Sequence, residues 1–216
     1  MALVSGASRG FGRAVARQLG TAGATVIAVA RTVGGLEELD DEVRRAGGPA
    51  PVLVPLDLTD GDGVDRMGAA LFERFGRIDL AVHAAAQGQP LMPIAEVRPK
   101  DFAKAAACHL EATWRLIRSL DPLLRASASG TLVHIDDAKA DQKFWGLYGS
   151  TKAAATHLVR SYAAETPALR VLIHEPPAMP TALRARTHPG EDKSQLTSPD
   201  AAAKALLLEI DRRVPA

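Results

Sequence analysis

The stretch ALVSGASRGFGR, residues 2–13, decides the fold expected for this chain. Its first three residues form a short apolar run that Ser5-Gly6 interrupts, and residues 13–19 then show the helical spacing of apolar side chains. The stretch therefore predicts a strand, a tight turn and a helix. Glycines in such a turn let backbone N–H groups approach a phosphate, and the helix directs its positive end at that anion. We therefore expect a dinucleotide to bind here.

The alternation of strand and helix continues along the whole chain. Further strands are predicted over residues 25–30, 51–55, 78–82, 131–135 and 170–174, and helices over residues 35–46, 62–75, 100–120, 148–164 and 201–210. Asp121-Pro122 marks the end of the long helix or a kink in it. This pattern predicts the α/β class, a single doubly wound parallel sheet (Rossmann fold) of about six strands with helices on both faces.

The length of 216 residues indicates one nucleotide-binding domain over residues 1–216. Residues 181–198, rich in Arg, Pro and Gly, lack clear periodicity, and we interpret them as a candidate substrate lid at the carboxyl edge of the sheet. After the last predicted helix no further strand follows, so a C-terminal strand is expected to be absent.

Composition narrows the class of protein. The 26 basic and 25 acidic residues leave a net charge of +1, which gives no support for nucleic acid or a membrane surface as partner. A single cysteine excludes an internal disulfide, and no signal peptide or membrane-spanning apolar run is recognised. A cytoplasmic location is therefore expected. Histidines 134, 157, 174 and 188 lack metal-ligand spacing, so no metal site is predicted.

Charge at the end of the second predicted strand bears on the cofactor. An acidic residue about 20 positions past the glycine loop would bind the ribose 2′-hydroxyl of NAD, but here the residue is Arg31. With Arg9 it could hold a 2′-phosphate through charge-assisted hydrogen bonds, which favours NADP(H). The alternative is that both are solvated surface arginines.

Several motifs, in order, resemble those of the short-chain dehydrogenase/reductase family. They are Ser5-Gly6-x3-Gly10-x-Gly12, Asp57-Leu58-Thr59, the segment FGRIDL at 75–80, Tyr148-x3-Lys152, and Pro176 with Thr181. The resemblance covers nearly the whole chain and implies an NADP(H)-dependent oxidoreductase. The cofactor-binding residues it indicates, together with those of the glycine loop, are Gly6, Ser8, Arg9, Gly10, Phe11, Gly12, Arg31, Asp57, Leu58, Ala84, Ala85, Tyr148, Lys152, Pro176 and Thr181.

The sequence also departs from the family pattern. The segment His83-Ala84-Ala85-Ala86 stands where the family has Asn-Asn-Ala-Gly, and Pro176-Pro177 replaces Pro-Gly. The helical asparagine of the family's proton relay falls at His109. The usual active-site serine aligns with Asp137, or with Asp136 if the loop shifts. His83 is expected to line the cofactor pocket.

Tyr148 and Lys152 are the candidate catalytic pair. Residues four apart share one helix face, and an ammonium beside a tyrosine favours the phenolate. We therefore expect Lys152 to bring the pKa of Tyr148 down from about 10, so that Tyr148 exchanges a proton with a carbonyl or alcohol. A tyrosine and a lysine that share a helix face by chance are the alternative.

Asp137 complicates this chemistry, because an ionised carboxylate cannot donate a hydrogen bond and opposes a growing alkoxide. It could remain protonated and donate as serine does, pair with Lys152 or Lys139, or act as a general base. It could also only begin a solvated loop. His109 could carry protons between Lys152 and solvent, or be a satisfied core histidine.

Three functions follow from these residues. The first is an NADPH-dependent ketoreductase acting on a small-molecule carbonyl or alcohol. The second is a non-redox dehydratase, isomerase or cyclase that uses Asp137 or His109, and the third is a catalytically silent NADP(H)-binding regulatory protein. Since the family commonly pairs through the helices at 100–120 and 148–164, a homodimer is also expected.

Overall fold

A computed structural model of the protein describes residues 1–137 and 142–212. It contains a parallel sheet of six strands in the order β3-β2-β1-β4-β5-β6. The strands are β1 (Ala2–Ser5), β2 (Val26–Ala30), β3 (Val52–Pro55), β4 (Leu80–His83), β5 (Thr131–Ile135) and β6 (Arg170–His174). The helices are α1 (Gly10–Thr21), α2 (Val33–Arg45), α3 (Gly61–Phe75), α4 (Pro99–Ala106), α5 (Ala112–Arg125), α6 (Gly146–Glu165), α7 (Ala182–Thr187) and α8 (Pro199–Arg212).

Helices cover both faces of this sheet, which confirms the predicted doubly wound architecture. Successive strand residues point to opposite faces, so Val4 packs with α1, α2 and α8 while Leu3 packs with α3, α5 and α6. The chain order reverses where β1 pairs with β4. In such sheets ligands bind in the crevice at the carboxyl ends of the strands beside this reversal.

The long predicted helix at 100–120 is wrong in two respects. A π turn (Ala107–Glu111) separates α4 from α5, and α5 continues past Pro122 to Arg125. Leu120, Leu123 and Leu124 are fully buried, so packing on the sheet holds the last turn although Pro122 lacks an N–H donor. The other predicted elements are present, and their bounds differ by no more than three residues.

The candidate lid is more regular than its sequence indicates. Residues 181–198 include α7 and a 3-10 turn (Lys193–Gln195). The hydroxyl of Thr181 caps α7 by accepting a hydrogen bond from the Arg184 N–H at 3.3 Å. A helix of six residues is too short for periodicity to reveal it.

Within the described ranges, no helix has both the length and the apolar character needed to span a bilayer. Lys139, one of the predicted partners of Asp137, lies outside these ranges.

Candidate active site

A cavity of about 690 Å³ opens where the six strands end. Every residue predicted to bind the cofactor lines it, and so does Asp137. The cavity also receives Leu183, Arg184, Arg186, Thr187 and His188 from the candidate lid. The structure therefore brings together residues from the first turn of the chain to its last quarter.

The glycine loop forms the floor of the cavity through very close backbone packing. A Cβ on Gly6 would lie 2.9 Å from the Ala85 Cα, and one on Gly12 would lie 2.4 Å from the Gly6 carbonyl oxygen. Within the described chain no side chain caps the start of α1, and its first turn holds no acidic residue. The first N–H groups of α1 therefore face the cavity as an anion-binding end.

At the far end of the cavity Arg31 pairs with Asp57, with Nη1 and Oδ2 3.5 Å apart. Oδ1 of Asp57 accepts hydrogen bonds from the N–H and the hydroxyl of Thr59, at 3.0 and 2.9 Å. Partial burial opposes the charge of Asp57, but these bonds and the Arg31 charge lower its pKa. A carboxylate thus holds the half-exposed Arg31 at the cavity, where Arg9 also lies.

Tyr148 and Lys152 are both buried at the start of α6. A pairing of Lys152 with Asp137 was one of the alternatives left open by the sequence, but Lys152 Nζ donates to the Ile135 carbonyl at 2.6 Å. The Tyr148 hydroxyl donates to Asp137 Oδ2 at 3.1 Å. Lys152 therefore binds the last residue of β5, and Tyr148 binds the loop two residues further along the chain.

The pKa of Tyr148 is shifted in the opposite direction to the one predicted. Burial raises the pKa of Tyr148, and the charge and hydrogen bond of Asp137 raise it further. Burial lowers the pKa of Lys152. The pKa of Tyr148 is therefore not brought down from about 10 as predicted, because burial and the Asp137 carboxyl group at its hydroxyl act in the opposite direction.

The two aspartates after β5 have separate roles. The backbone N–H of Asp136 donates to the His174 carbonyl on β6, and Asp136 Oδ1 accepts from the Asp137 N–H, both at 2.8 Å. These bonds fix the turn after β5 and place Asp137 against Tyr148. Of the two aspartates, Asp137 contacts the Tyr148 hydroxyl, while Asp136 shapes the loop.

His109 lies in the π turn and joins two walls of the site. Its Nδ1 is 2.8 Å from the Thr151 hydroxyl, and its Nε2 is 3.1 Å from the Gln87 carbonyl oxygen. Its ring lies edge-on to Tyr148 at 5.2 Å. Burial and the Lys152 charge lower its pKa to about 4. Among the described residues its hydrogen bonds reach Gln87 and Thr151 rather than Lys152, so its contacts position Tyr148.

His83 was expected to line the cavity, but the structure buries it in a hydrogen-bonded chain. The Thr113 hydroxyl donates to the His109 carbonyl at 2.5 Å, so it accepts from His83 Nε2–H at 3.0 Å. His83 Nδ1 must then accept from the Ser5 hydroxyl at 2.7 Å. Burial and the Lys152 charge lower the pKa of His83 to about 3, in agreement with this neutral form.

Trp145 is a cavity residue that sequence reasoning missed. Its ring lies 5.5 Å from Tyr148 and 5.8 Å from His188 of the lid segment. The available signal was an aromatic residue three positions before Tyr148, at the residue that precedes the first turn of α6. Cys108 also lines the cavity, and burial raises the pKa of its thiol.

Comparison with known proteins gives consistent matches. A family model described as short chain dehydrogenase matches residues 1–192. The uncharacterized oxidoreductase YciK of Escherichia coli is 30% identical over 202 residues, which are 91% of this chain and 80% of YciK.

Two solved structures with bound NADP are also similar. One, described as a short chain dehydrogenase from Shigella flexneri, has a TM-score of 0.88 and 29% identity, covering 92% of this chain and 85% of that chain. A metagenomic short-chain oxidoreductase has a TM-score of 0.82 and 28% identity, covering 97% and 89% of the two chains.

Proposed function

The chain belongs to the short-chain dehydrogenase family, and on that premise we propose that it is an NADPH-dependent reductase of a small-molecule carbonyl compound. One observation carries the proposal: Tyr148 and Lys152 face the same cavity as the glycine loop and Arg31. A proton donor and a dinucleotide cradle therefore share one space. Reduction of a carbonyl requires both of them there.

The residues present fit NADPH. The loop approaches Ala85 so closely that a side chain on Gly6 would fill the cradle, and the uncapped start of α1 offers N–H groups to a pyrophosphate. Arg31 and Arg9 supply positive charge for a 2′-phosphate. When bound, the cofactor supplies the hydride.

The chain's own residues bind, orient and protonate the substrate. The Tyr148 hydroxyl donates its proton to the carbonyl oxygen, and the edge-on contact with His109 fixes the direction of its ring. Lys152, held by the Ile135 carbonyl, brings positive charge to the same wall. Trp145 and His188 close the cavity beside Tyr148 and exclude water from the reacting atoms.

Cofactor choice is tested by titrating the protein with NADPH and NADH. We expect NADPH to bind more tightly, and Arg31→Asp to reduce or reverse the preference by about 10- to 100-fold, the value of a charge-assisted contact. Arg45→Asp, an equal charge change at the exposed end of α2, is the matched control. Equal affinity of the wild type for the two nucleotides contradicts the phosphate assignment.

Reduction itself is tested with a panel of ketones and aldehydes, followed by loss of nicotinamide absorbance. A second candidate is a non-redox acid/base reaction, which the carboxyl group of Asp137 in the cavity favours. Substrate conversion without nicotinamide oxidation identifies that candidate. Conversion with equal nicotinamide oxidation identifies the reductase.

We further propose that two copies pair through the expected helices, which are α4 and α5 in the 100–120 region and α6. Phe102 and Trp114, on these helices, expose 53% and 43% of their surface. Light scattering should give a dimer for the wild type and a monomer for Trp114→Glu. A wild-type monomer contradicts the pairing.

A further inference from the structure

The proton of the Tyr148 hydroxyl is used in a hydrogen bond to a carboxyl group. It donates to Asp137 Oδ2 at 3.1 Å, whereas the Lys152 ammonium lies at the Ile135 carbonyl. The hydroxyl group of a tyrosine carries a single proton. Tyr148 therefore cannot protonate a substrate and keep its bond to Asp137, so the Tyr148–Asp137 contact must change during the reaction.

The protonation state of Asp137 decides whether that change is favourable. If Asp137 is ionised when Tyr148 loses its proton, two negative charges are left about 3 Å apart in a half-buried site, which is strongly unfavourable. If Asp137 carries its own proton, it can donate to the Tyr148 oxygen as the tyrosine proton leaves. No second negative charge then forms.

Resting on the reductase activity proposed above, we propose that Asp137 is a catalytic acid that reprotonates Tyr148 in the reducing step. The hydride, with its electron pair, forms the new C–H bond at the carbonyl carbon. The π electrons of the carbonyl group move to its oxygen, and that oxygen takes the proton of Tyr148. The Tyr148 oxygen takes the Asp137 proton. The products are an alcohol, oxidised nicotinamide, neutral Tyr148 and an Asp137 carboxylate, which regains its proton from solvent.

The surroundings of the pair support this direction of transfer. Burial is the largest cause of the raised pKa of Tyr148, and it acts whatever the charge on Asp137, so a persistent tyrosinate is disfavoured. Within the described ranges, the titratable or charged groups that interact with the pair are Asp136 of its own loop, Lys152 of α6, Cys108 and His109 of the π turn, and Arg184 of the lid. His188 of the lid lines the same cavity. Lys139 belongs to the same loop but lies outside the described residues.

The proposal fixes the sign of the pH dependence. Reduction consumes the proton of Asp137, so its rate should fall as the pH rises. Alcohol oxidation needs the carboxylate, so its rate changes in the opposite sense. A purely structural Asp137 produces neither dependence.

The kinetic test compares the wild type with Asp137→Asn and Asp121→Asn over a pH series; Asp121 accepts a hydrogen bond from Tyr162 and is not among the residues that line the cavity. We expect Asp137→Asn to lower kcat/KM for reduction by about 100-fold or more and to abolish the pH step. The rate in mixtures of H₂O and D₂O should indicate two protons in flight for the wild type and one for Asp137→Asn. Asp121→Asn should keep both the step and the two-proton signature.

A second test needs no cofactor. The chain has two tyrosines, so in a Tyr162→Phe background tyrosinate absorbance reports on Tyr148 alone. Adding Asp137→Asn should let Tyr148 ionise at lower pH, and Asp136→Asn should shift it less.

The outcomes separate this inference from the proposed function. Unchanged activity and pH profile in Asp137→Asn, or unchanged Tyr148 ionisation, overturn the relay and leave the reductase standing. A wild type that reduces no carbonyl overturns the reductase and the relay together.

Discussion

Helix α6 carries two buried tyrosines, and each donates a hydrogen bond to an aspartate. Tyr148, near the start of the helix, donates to Asp137 at 3.1 Å, and Tyr162, near its end, donates to Asp121 at 2.8 Å. Burial and the aspartate raise the pKa of both tyrosines. Helix α6 therefore carries a tyrosine–aspartate hydrogen bond near each of its two ends.

The two pairs differ in what surrounds them. Asp121 also accepts hydrogen bonds from Arg125 Nε at 2.8 and 2.9 Å, and Tyr162 packs into the core between α6, α5 and the sheet. Asp137 and Tyr148 instead line the cavity beside Lys152 and the glycine loop. A tyrosine–aspartate hydrogen bond in the core therefore only fixes the orientation of the tyrosine ring. The same hydrogen bond at the cavity wall places the two groups where a bound substrate can reach them.

The largest expected effect separates the two tyrosines by activity. Tyr148→Phe should lower kcat/KM for carbonyl reduction by about 10²- to 10⁴-fold, because the proton donor is lost. Tyr162→Phe should change it less than about twofold. Steady-state kinetics of the two variants, with circular dichroism as a check of folding, measures the difference. An active Tyr148→Phe variant would remove the distinction between the pairs.

Acid should affect mainly the Tyr148 end of α6, where neutral histidines lie close to Lys152. The pKa values of His83 and His109 are about 3 and about 4, below the ordinary value. A lowered histidine pKa gives stability that is complete above about pH 6.5 and is lost as the pH falls. We expect each of the two histidines to lower the free energy of unfolding by on the order of 2 kcal/mol as the pH falls from 6.5 to 5.

Denaturant unfolding at a series of pH values measures this loss. His83→Asn should show a smaller decline than the wild type, and His157→Asn, at an exposed position of α6, should show the same decline as the wild type. Parallel pH curves for all three proteins would show that the buried imidazole does not carry the effect.

The smallest expected effect concerns the Tyr162–Asp121 hydrogen bond in the core. Tyr162→Phe should lower the free energy of unfolding by about 1 kcal/mol at neutral pH, the net value of a hydrogen bond. The raised pKa of Tyr162 contributes stability that is complete below about pH 10 and is lost as the pH rises. The variant should therefore lose less stability than the wild type in alkali, and thermal denaturation at both pH values tests this.

The parts of the site that depend on local spacing were predictable from the sequence. The glycine loop between strand and helix is a contiguous pattern, and Tyr148 and Lys152 are one helical turn apart. The parallel sheet followed from the alternation of elements, and the structure confirms it.

The parts that depend on contacts between distant segments were not predictable. The bond from Tyr148 to Asp137 is set by how the turn after β5 binds β6 through the Asp136 N–H, and no local pattern shows it. The π turn carries no sequence signature. The hydrogen-bonded chain through His83 joins residues 78 and 30 positions apart in sequence, so the polarity of His83 suggested a cavity residue when it is an internal one.

The position of Trp145 gives the protein an optical reporter of its own. Of the two tryptophans, Trp114 is 43% exposed and Trp145 is buried at the cavity wall, beside Tyr148 and His188. In a Trp114→Phe background the emission of the chain comes from Trp145 alone. Light absorbed there can pass to a nicotinamide ring in the cavity, so fluorescence can follow nucleotide entry in real time without an added dye.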